Sequence, residues 1–187
     1  PYDRYLHFEQ YMRPFFEEIY AMQKQSGKAV TPSEFIRMLG EKVTDKSSIL
    51  HWCARNDIPV FCPALVDGSI GDLWHFHHQQ KKDFALDLIA DHSKLIQFVL
   101  AAEKTGAVIL GGGVSKHYVL NANIFRDGLD YAVYLTTAAE YDASDSGGNT
   151  QEAMSWNKVN PAGQHVKVVC DASITFPLVV AGSFAKK

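Results

Sequence analysis

Residues 107–137 read A-V-I-L-G-G-G-V-S-K-H-Y-V-L-N-A-N-I-F-R-D-G-L-D-Y-A-V-Y-L-T-T. The run opens on four apolar residues, breaks at Gly111-Gly112-Gly113, takes a helical pattern over 116–125, turns at Asp127-Gly128 and closes on a second apolar run over 131–137. A buried strand, a glycine turn, a helix and another buried strand make one βα repeat, and such repeats build parallel sheets. The pattern extends outward in both directions. Residues 59–65 and 84–89 read as earlier strands and 166–170 as a last one, with helical patterns over 91–104, 150–156 and 176–184. The expected fold is α/β: a Rossmann-like parallel sheet of five strands, helices on both faces, and a helical N-terminal lead-in.

In that lead-in, Tyr5, Phe8, Met12, Phe15, Phe16, Ile19 and Met22 recur at helical spacing over 2–25, and Pro14 is expected to break or kink the run into two pieces. Thr31-Pro32-Ser33-Glu34 places an N-cap, a proline at the first helical position and a glutamate able to close a capping box, so a helix is expected to Val43. A further helix is expected over 47–55. With 187 residues, 47% of them hydrophobic, the chain is read as one domain: 1–56 helical, 57–187 βα repeats. It opens at Pro1 without an initiator Met, which points to a piece of something longer.

A net charge of −3 argues against a nucleic-acid partner, which needs a basic face. No uncharged apolar run approaches the roughly 18 residues of a membrane span, and no signal peptide is visible, so a cytoplasmic location is expected. Cys53, Cys62 and Cys170 are odd in number and widely spaced, as reduced core thiols would be. Trp74-His75-Phe76-His77-His78 lacks a carboxylate or further histidine at zinc-ligand spacing, and no metal is expected.

In a parallel sheet, ligands sit beyond the carboxyl ends of the strands. The expected strands place Asp67 and Asp72 there, then the triple glycine with His117, then Thr136 and Thr137, then Asp171. Three glycines at a strand-to-helix turn let backbone N–H groups approach a pyrophosphate, or make a tight turn and nothing more. Asp171 suits a ribose hydroxyl or a helix N-cap equally.

Between Asp127 and Lys158 lie Asp127, Asp130, Glu140, Asp142, Asp145 and Glu152, with no Lys, Arg or His before Lys158. Uncompensated acid attracts cations. Trp156 adds a ring face able to hold an ammonium, and Lys158 an amine; a lysine attacks only when uncharged, a state that desolvation and neighbouring cations favour. The segment has what a site needs to bind a polyamine and attack it covalently, although a solvated acidic loop has the same composition. Lys116 is the other lysine expected near the strand ends, and is read as lacking neighbouring carboxylates or a tryptophan. Glu152, three residues after Asn149, also suits a capping box.

Taken together, G-G-G-V-S-K-H-Y, A-N-A-N, D-Y-A-V-Y-L-T-T-A, E-Y-D-A-S-D-S-G, E-A-M-S-W-N-K and V-C-D-A-S-I-T-F-P-L resemble deoxyhypusine synthase, as do P-V-F-C-P-A-L-V-D-G-S-I-G-D and T-P-S-E-F-I-R-M-L-G upstream. The resemblance covers nearly the whole chain. It implies an enzyme that uses NAD to oxidise spermidine, releases diaminopropane, carries the aminobutyl group as an imine on a lysine, and passes it to a lysine of the precursor of the hypusine-containing translation factor. By motif matching, Lys158 is the nucleophile, and Asp72, His117, Ala143, Ser144, Asp145, Glu152 and Trp156 are the spermidine contacts, His117 also taking a proton. Asp67, Gly112, Thr137, Ala138, Asp171 and Ala172 match the NAD contacts. The family's D-G-S-D-S-G departs here at Ala143 and its S-W-G-K at Asn157, which bears on substrate fit. Family members are about twice as long, so an N-terminal companion and a homo- or hetero-tetramer with sites straddling an interface are expected. Two other readings are a non-catalytic polyamine-binding regulatory subunit and a metal hydrolase built on residues 75–78.

Overall fold

The computed structural model describes residues 2–142 and 144–185, with the side chains of residues 2, 142 and 145 also outside the description. The chain divides into two compact units, Pro1–Ser93 and Lys94–Lys187.

The first unit is helical. Helix α1 (Tyr2–Ser26) runs without interruption through Pro14, against the expected break. Gln10, whose carbonyl Pro14 deprives of its helical donor, is exposed, while Met12, Phe15, Phe16 and Ile19 bury the opposite face. Water can satisfy the carbonyl, and burial of four large side chains outweighs the roughly 3 kcal/mol penalty of an internal proline. Helix α2 (Pro32–Lys42) starts at the expected capping box: the Glu34 N–H donates to Thr31 Oγ1 at 3.3 Å and the Thr31 N–H to Glu34 Oε2 at 2.8 Å. Helices α3 (Ile49–Arg55) and α4 (Ser69–Gln80) follow, and α5 (Leu88–Leu100) runs across the boundary into the second unit.

Two expected strands are absent. Val60 and Cys62, from 59–65, pack against the helical core, and the segment turns at its end, where the Asp67 N–H donates to the Ala64 carbonyl at 3.0 Å. Residues 84–89 form a single bridge, Leu86 with Val30. The Gln23 side chain of α1 takes part of the backbone there, donating to the Asp83 carbonyl at 2.6 Å and accepting from the Ala85 N–H at 3.0 Å. An apolar run becomes a strand only when a neighbour satisfies its ladder. Trp74 and His77 of the histidine-rich stretch join an aromatic core, Trp74 stacking on Phe84 with centroids 4.6 Å apart. Among the described residues no three His, Cys, Asp or Glu side chains gather as metal ligands, and the three cysteines are free thiols.

The second unit carries the α/β pattern. Strands β1 (Gly106–Leu110), β2 (Leu129–Thr136) and β3 (Val159–Val169) form a parallel sheet in the order β1-β2-β3. Helix α6 (Gly113–Ile124) joins the first pair and α7 (Thr150–Ser155) the second; α8 (Ala172–Gly182) follows β3. Side chains alternate between the faces of a sheet. Ile109, Ala132 and Tyr134 point to one face and pack with Leu120 of α6 and Ala153 of α7. In the register Val108↔Val133↔Val166 and Leu110↔Leu135↔Val168, the other face leaves Val108, Leu110, Tyr131, Val166 and Val168 exposed. Helix α8 has no charged residue, and none of its residues is buried.

Candidate functional site

Between α6, α7 and the sheet lies a small pocket of about 20 Å³, room for one water molecule. Lys116 and Leu120 reach it from α6, Tyr134 from β2, Glu152 from α7, and Trp156 and Lys158 from the turn into β3. Local sequence sets this turn. Asn149 caps α7, its side chain accepting from the Glu152 N–H at 2.9 Å. At the other end Asn157 adopts a left-handed φ of 58°, the Asn157 N–H donates to the Met154 carbonyl and the Lys158 N–H to the Ala153 carbonyl, both at 2.9 Å. This is the Schellman pattern, with Asn157 at the position where glycine is preferred and asparagine tolerated. The departure from S-W-G-K therefore preserves the backbone. The Lys158 carbonyl accepts from the Leu129 N–H at 3.0 Å, so its main chain is fixed on both sides and the ammonium is aimed by the fold. Replacing Asn157 by Ala is expected to lower stability by about 1 kcal/mol in thermal unfolding, and by Gly to leave it unchanged.

The acidic segment is less uncompensated than its sequence suggests. Asp130 accepts from the Thr105 N–H and from Arg126, each at 2.8 Å, and these contacts, Thr105 foremost, hold its carboxyl below the usual range. Asp127 accepts from the Asn157 amide at 3.2 Å. Lys167 of β3 lies 3.6 Å from Glu140 and donates to the Gly147 carbonyl at 2.8 Å, holding the turns Glu140–Asp142 and Asp145–Gly147 to the sheet. Glu152 is the exposed carboxylate that borders the cavity. Ala143 and the Asp145 side chain lie outside the described residues. Ser144 closes a turn, accepting from the Gly147 N–H at 3.0 Å through its carbonyl.

Gly112, Thr137, Ala138, Asp171 and Ala172 follow the carboxyl ends of the three paired strands and share that edge of the sheet. Gly111 and Gly113 have φ of 78° and 73°, and a methyl group on either would meet open space. At Gly112 it would come within 2.6 Å of Ser146, so this glycine is required by close packing of the 145–147 turn. Asp171 caps α8, accepting from the Ser173 N–H at 2.7 Å; its second oxygen is available to a ribose hydroxyl. The Gly111 N–H is taken by the Leu135 carbonyl at 2.8 Å, so Gly113, at the head of a twelve-residue helix with open space beside it, is the glycine of this turn that suits a pyrophosphate.

Glu152, Trp156 and Lys158 are thus brought together, but His117 is not with them. It borders an open groove of about 430 Å³ with Val114, Tyr118 and Asn121, while Lys116, one position earlier, faces the Lys158 pocket. Neighbouring helical residues point about 100° apart. Lys116, only 7% exposed, shares its cavity with Glu152 and Trp156, contrary to the expectation that it lacks such neighbours. Its spacing to Leu120 on the inner stripe of α6 is the signal that marks its direction. Tyr134 is the other residue not anticipated. Asp67 and Asp72 belong to the first unit, before and within the first turn of α4.

A family model for deoxyhypusine synthase matches residues 1–183. The chain belongs to the deoxyhypusine synthase family. It is 45% identical over 189 residues to the deoxyhypusine synthase of Senecio vernalis, covering all of this chain and 51% of that one. It is 44% identical over 193 residues to homospermidine synthase 2 of the same plant, covering all of this chain and 52% of that one. The crystal structure of a candidate deoxyhypusine synthase from Entamoeba histolytica aligns with a TM-score of 0.73 at 33% identity, over 99% of this chain and 57% of the other. The chain spans about half the length of the curated family members it matches.

Proposed function

We propose that this chain is the lysine-bearing half of a deoxyhypusine synthase, completed by a companion polypeptide equivalent to the half of its relatives that it does not span. The observation that carries the reading is the grouping of Lys158, Glu152 and Trp156 around one cavity in a member of this family. Glu152 and the face of Trp156 would hold an ammonium of spermidine. Lys158 would add through its neutral amine to the oxidised carbon, displace diaminopropane and carry the aminobutyl group as an imine until an acceptor lysine takes it. NAD, when bound, accepts and returns the hydride; Gly113 and Asp171, with Gly112, Thr137, Ala138 and Ala172 on the same edge, are the residues of this unit proposed to hold it. Asp67, Asp72, Ser144 and Asp145 are proposed contacts by family matching alone. His117 stands on an open apolar groove, which supports its acting in a site shared with a second copy.

The exposed apolar sheet face and the uncharged α8 support a covering partner, since a helix apolar all round is ordinarily buried. Homospermidine synthases match about as well as deoxyhypusine synthases, and by name their product is a polyamine. The acceptor is therefore the finer part of the proposal. The test supplies the reconstituted complex with spermidine and NAD, with and without the translation-factor precursor. Diaminopropane release with label on the precursor is expected, label on a free amine alone would reassign the acceptor, and no release would reject the enzyme reading. By calorimetry the isolated chain is expected to bind NAD poorly; an affinity equal to that of the complex would show that the nucleotide site is complete in this chain.

A further inference from the structure

Lys158 enters β3 ahead of an irregular stretch of sheet. Leu129 of β2 pairs with Val159, but the next pair is Tyr131 with Gln164, so residues 160–163 of β3 stand against Asp130 alone. The unbroken register, out to Thr136 and Val169, starts beyond them. A bulge of this kind disrupts the ladder locally, and it leaves the lysine-bearing turn tied to the sheet by the Leu129 rung.

A second tie crosses to the turn before β2. Asp127 and Asn157 both adopt left-handed backbone, with φ of 63° and 58°, and the Asn157 side-chain amide donates to Asp127 Oδ1 at 3.2 Å. Beside this bond the two turns abut: a methyl group on Gly128 would lie 2.7 Å from the Val159 carbonyl carbon and the Asn160 nitrogen. The Asp127 turn is itself fixed, its N–H donating to the Ile124 carbonyl at 3.2 Å and the Gly128 N–H to the Asn123 carbonyl at 2.9 Å. Closing the Schellman turn does not call for the Asn157 side chain, since glycine takes a left-handed φ at less cost. What asparagine adds is the bond to Asp127, which the family's S-W-G-K has no side chain to make.

We propose that Asp127 is a positioning residue for Lys158, acting through Asn157 to hold the lysine-bearing turn against the entry of β2. This rests on the reading of Lys158 as the nucleophile. An attacking amine must meet its carbon at one distance and angle, and a shift of about 1 Å in its support is enough to slow the reaction without altering what the site binds. The clasp bears on the rate of attack, whereas Glu152 and Trp156 bear on binding.

The experiment compares the complete complex with its Asp127→Gly, Asn157→Gly, doubly substituted and Asp127→Asn forms. Glycine accepts a left-handed φ, so neither glycine strains the backbone, and asparagine at 127 keeps a carbonyl oxygen to accept the bond. With NAD and spermidine saturating, the rate at which a borohydride-trapped adduct appears on the Lys158 peptide is expected to fall about three- to tenfold in each glycine form, the range set by one lost hydrogen bond. The double form should be no slower than either single one, Asp127→Asn should match the parent, and spermidine affinity and melting temperature should stay level. Hydrogen exchange at the Leu129 and Lys158 N–H groups should quicken in the glycine forms alone. A rate equal to the parent's, additive losses, or a fall in spermidine affinity or melting temperature in step with the rate would each overturn the proposal. A parent complex that forms no adduct rejects the nucleophile reading; exchange, which needs no substrate, then decides the clasp by itself, and unchanged exchange overturns it.

Discussion

Borohydride added to the complex in the presence of NAD and spermidine is expected to leave a stable adduct on the peptide containing Lys158, and Lys158→Arg to abolish it. Arginine keeps the charge and most of the length, but its guanidinium is not deprotonated in proteins and cannot serve as the attacking amine. The substitution thus separates nucleophilicity from electrostatics. Because the Schellman turn holds Lys158 through its main chain, the variant should fold as the parent does. The regulatory-subunit reading expects no label on this chain and full activity of a partner when Lys158 is arginine. Lys116 is the informative alternative, since it faces the same cavity. Lys116→Arg is expected to leave the adduct in place; label on the Lys116 peptide would move the nucleophile from the β3 entry to α6.

Glu152→Gln is expected to weaken spermidine binding by about ten- to a hundredfold, the loss of one charge-assisted contact of roughly 1.5 to 3 kcal/mol, with NAD binding nearly unchanged. In the cap of α7 it is the Glu152 main-chain N–H that donates to Asn149, and glutamine retains it. The melting temperature should therefore hold. A fall in melting temperature with spermidine affinity intact would make Glu152 a structural residue, and the polyamine would have to be held from elsewhere. Asp145→Asn is expected to act in the same direction, by family matching.

Much of the second unit was legible because its signals are short in range. The apolar run before Gly111, the glycine turn, the helical pattern after it and the Asn149 cap each depend on residues within about four positions of one another. The Thr31 and Glu34 capping box is of the same kind; the left-handed turn at Asn157, read in the sequence only as a departure bearing on substrate fit, emerged with the structure. The motifs also carried the family. Tertiary structure decided what depends on distant partners. Residues 59–65 and 84–89 have strand composition, but a strand requires a neighbour's backbone, and at 84–89 Gln23 of α1 engages the adjoining backbone. Pro14 stays inside α1 because the buried face on either side of it outweighs one lost bond. The acidic segment found Lys167 at the end of β3, a partner that no local reading of charge supplies. Which of Lys116 and His117 faces Lys158 was a matter of helix rotation against the sheet, and the hydroxyl of Tyr134, unpaired among the described residues, became visible only once its neighbours were in place. Local sequence determines backbone preference and residue chemistry, whereas desolvation and pairing depend on what the rest of the chain brings alongside.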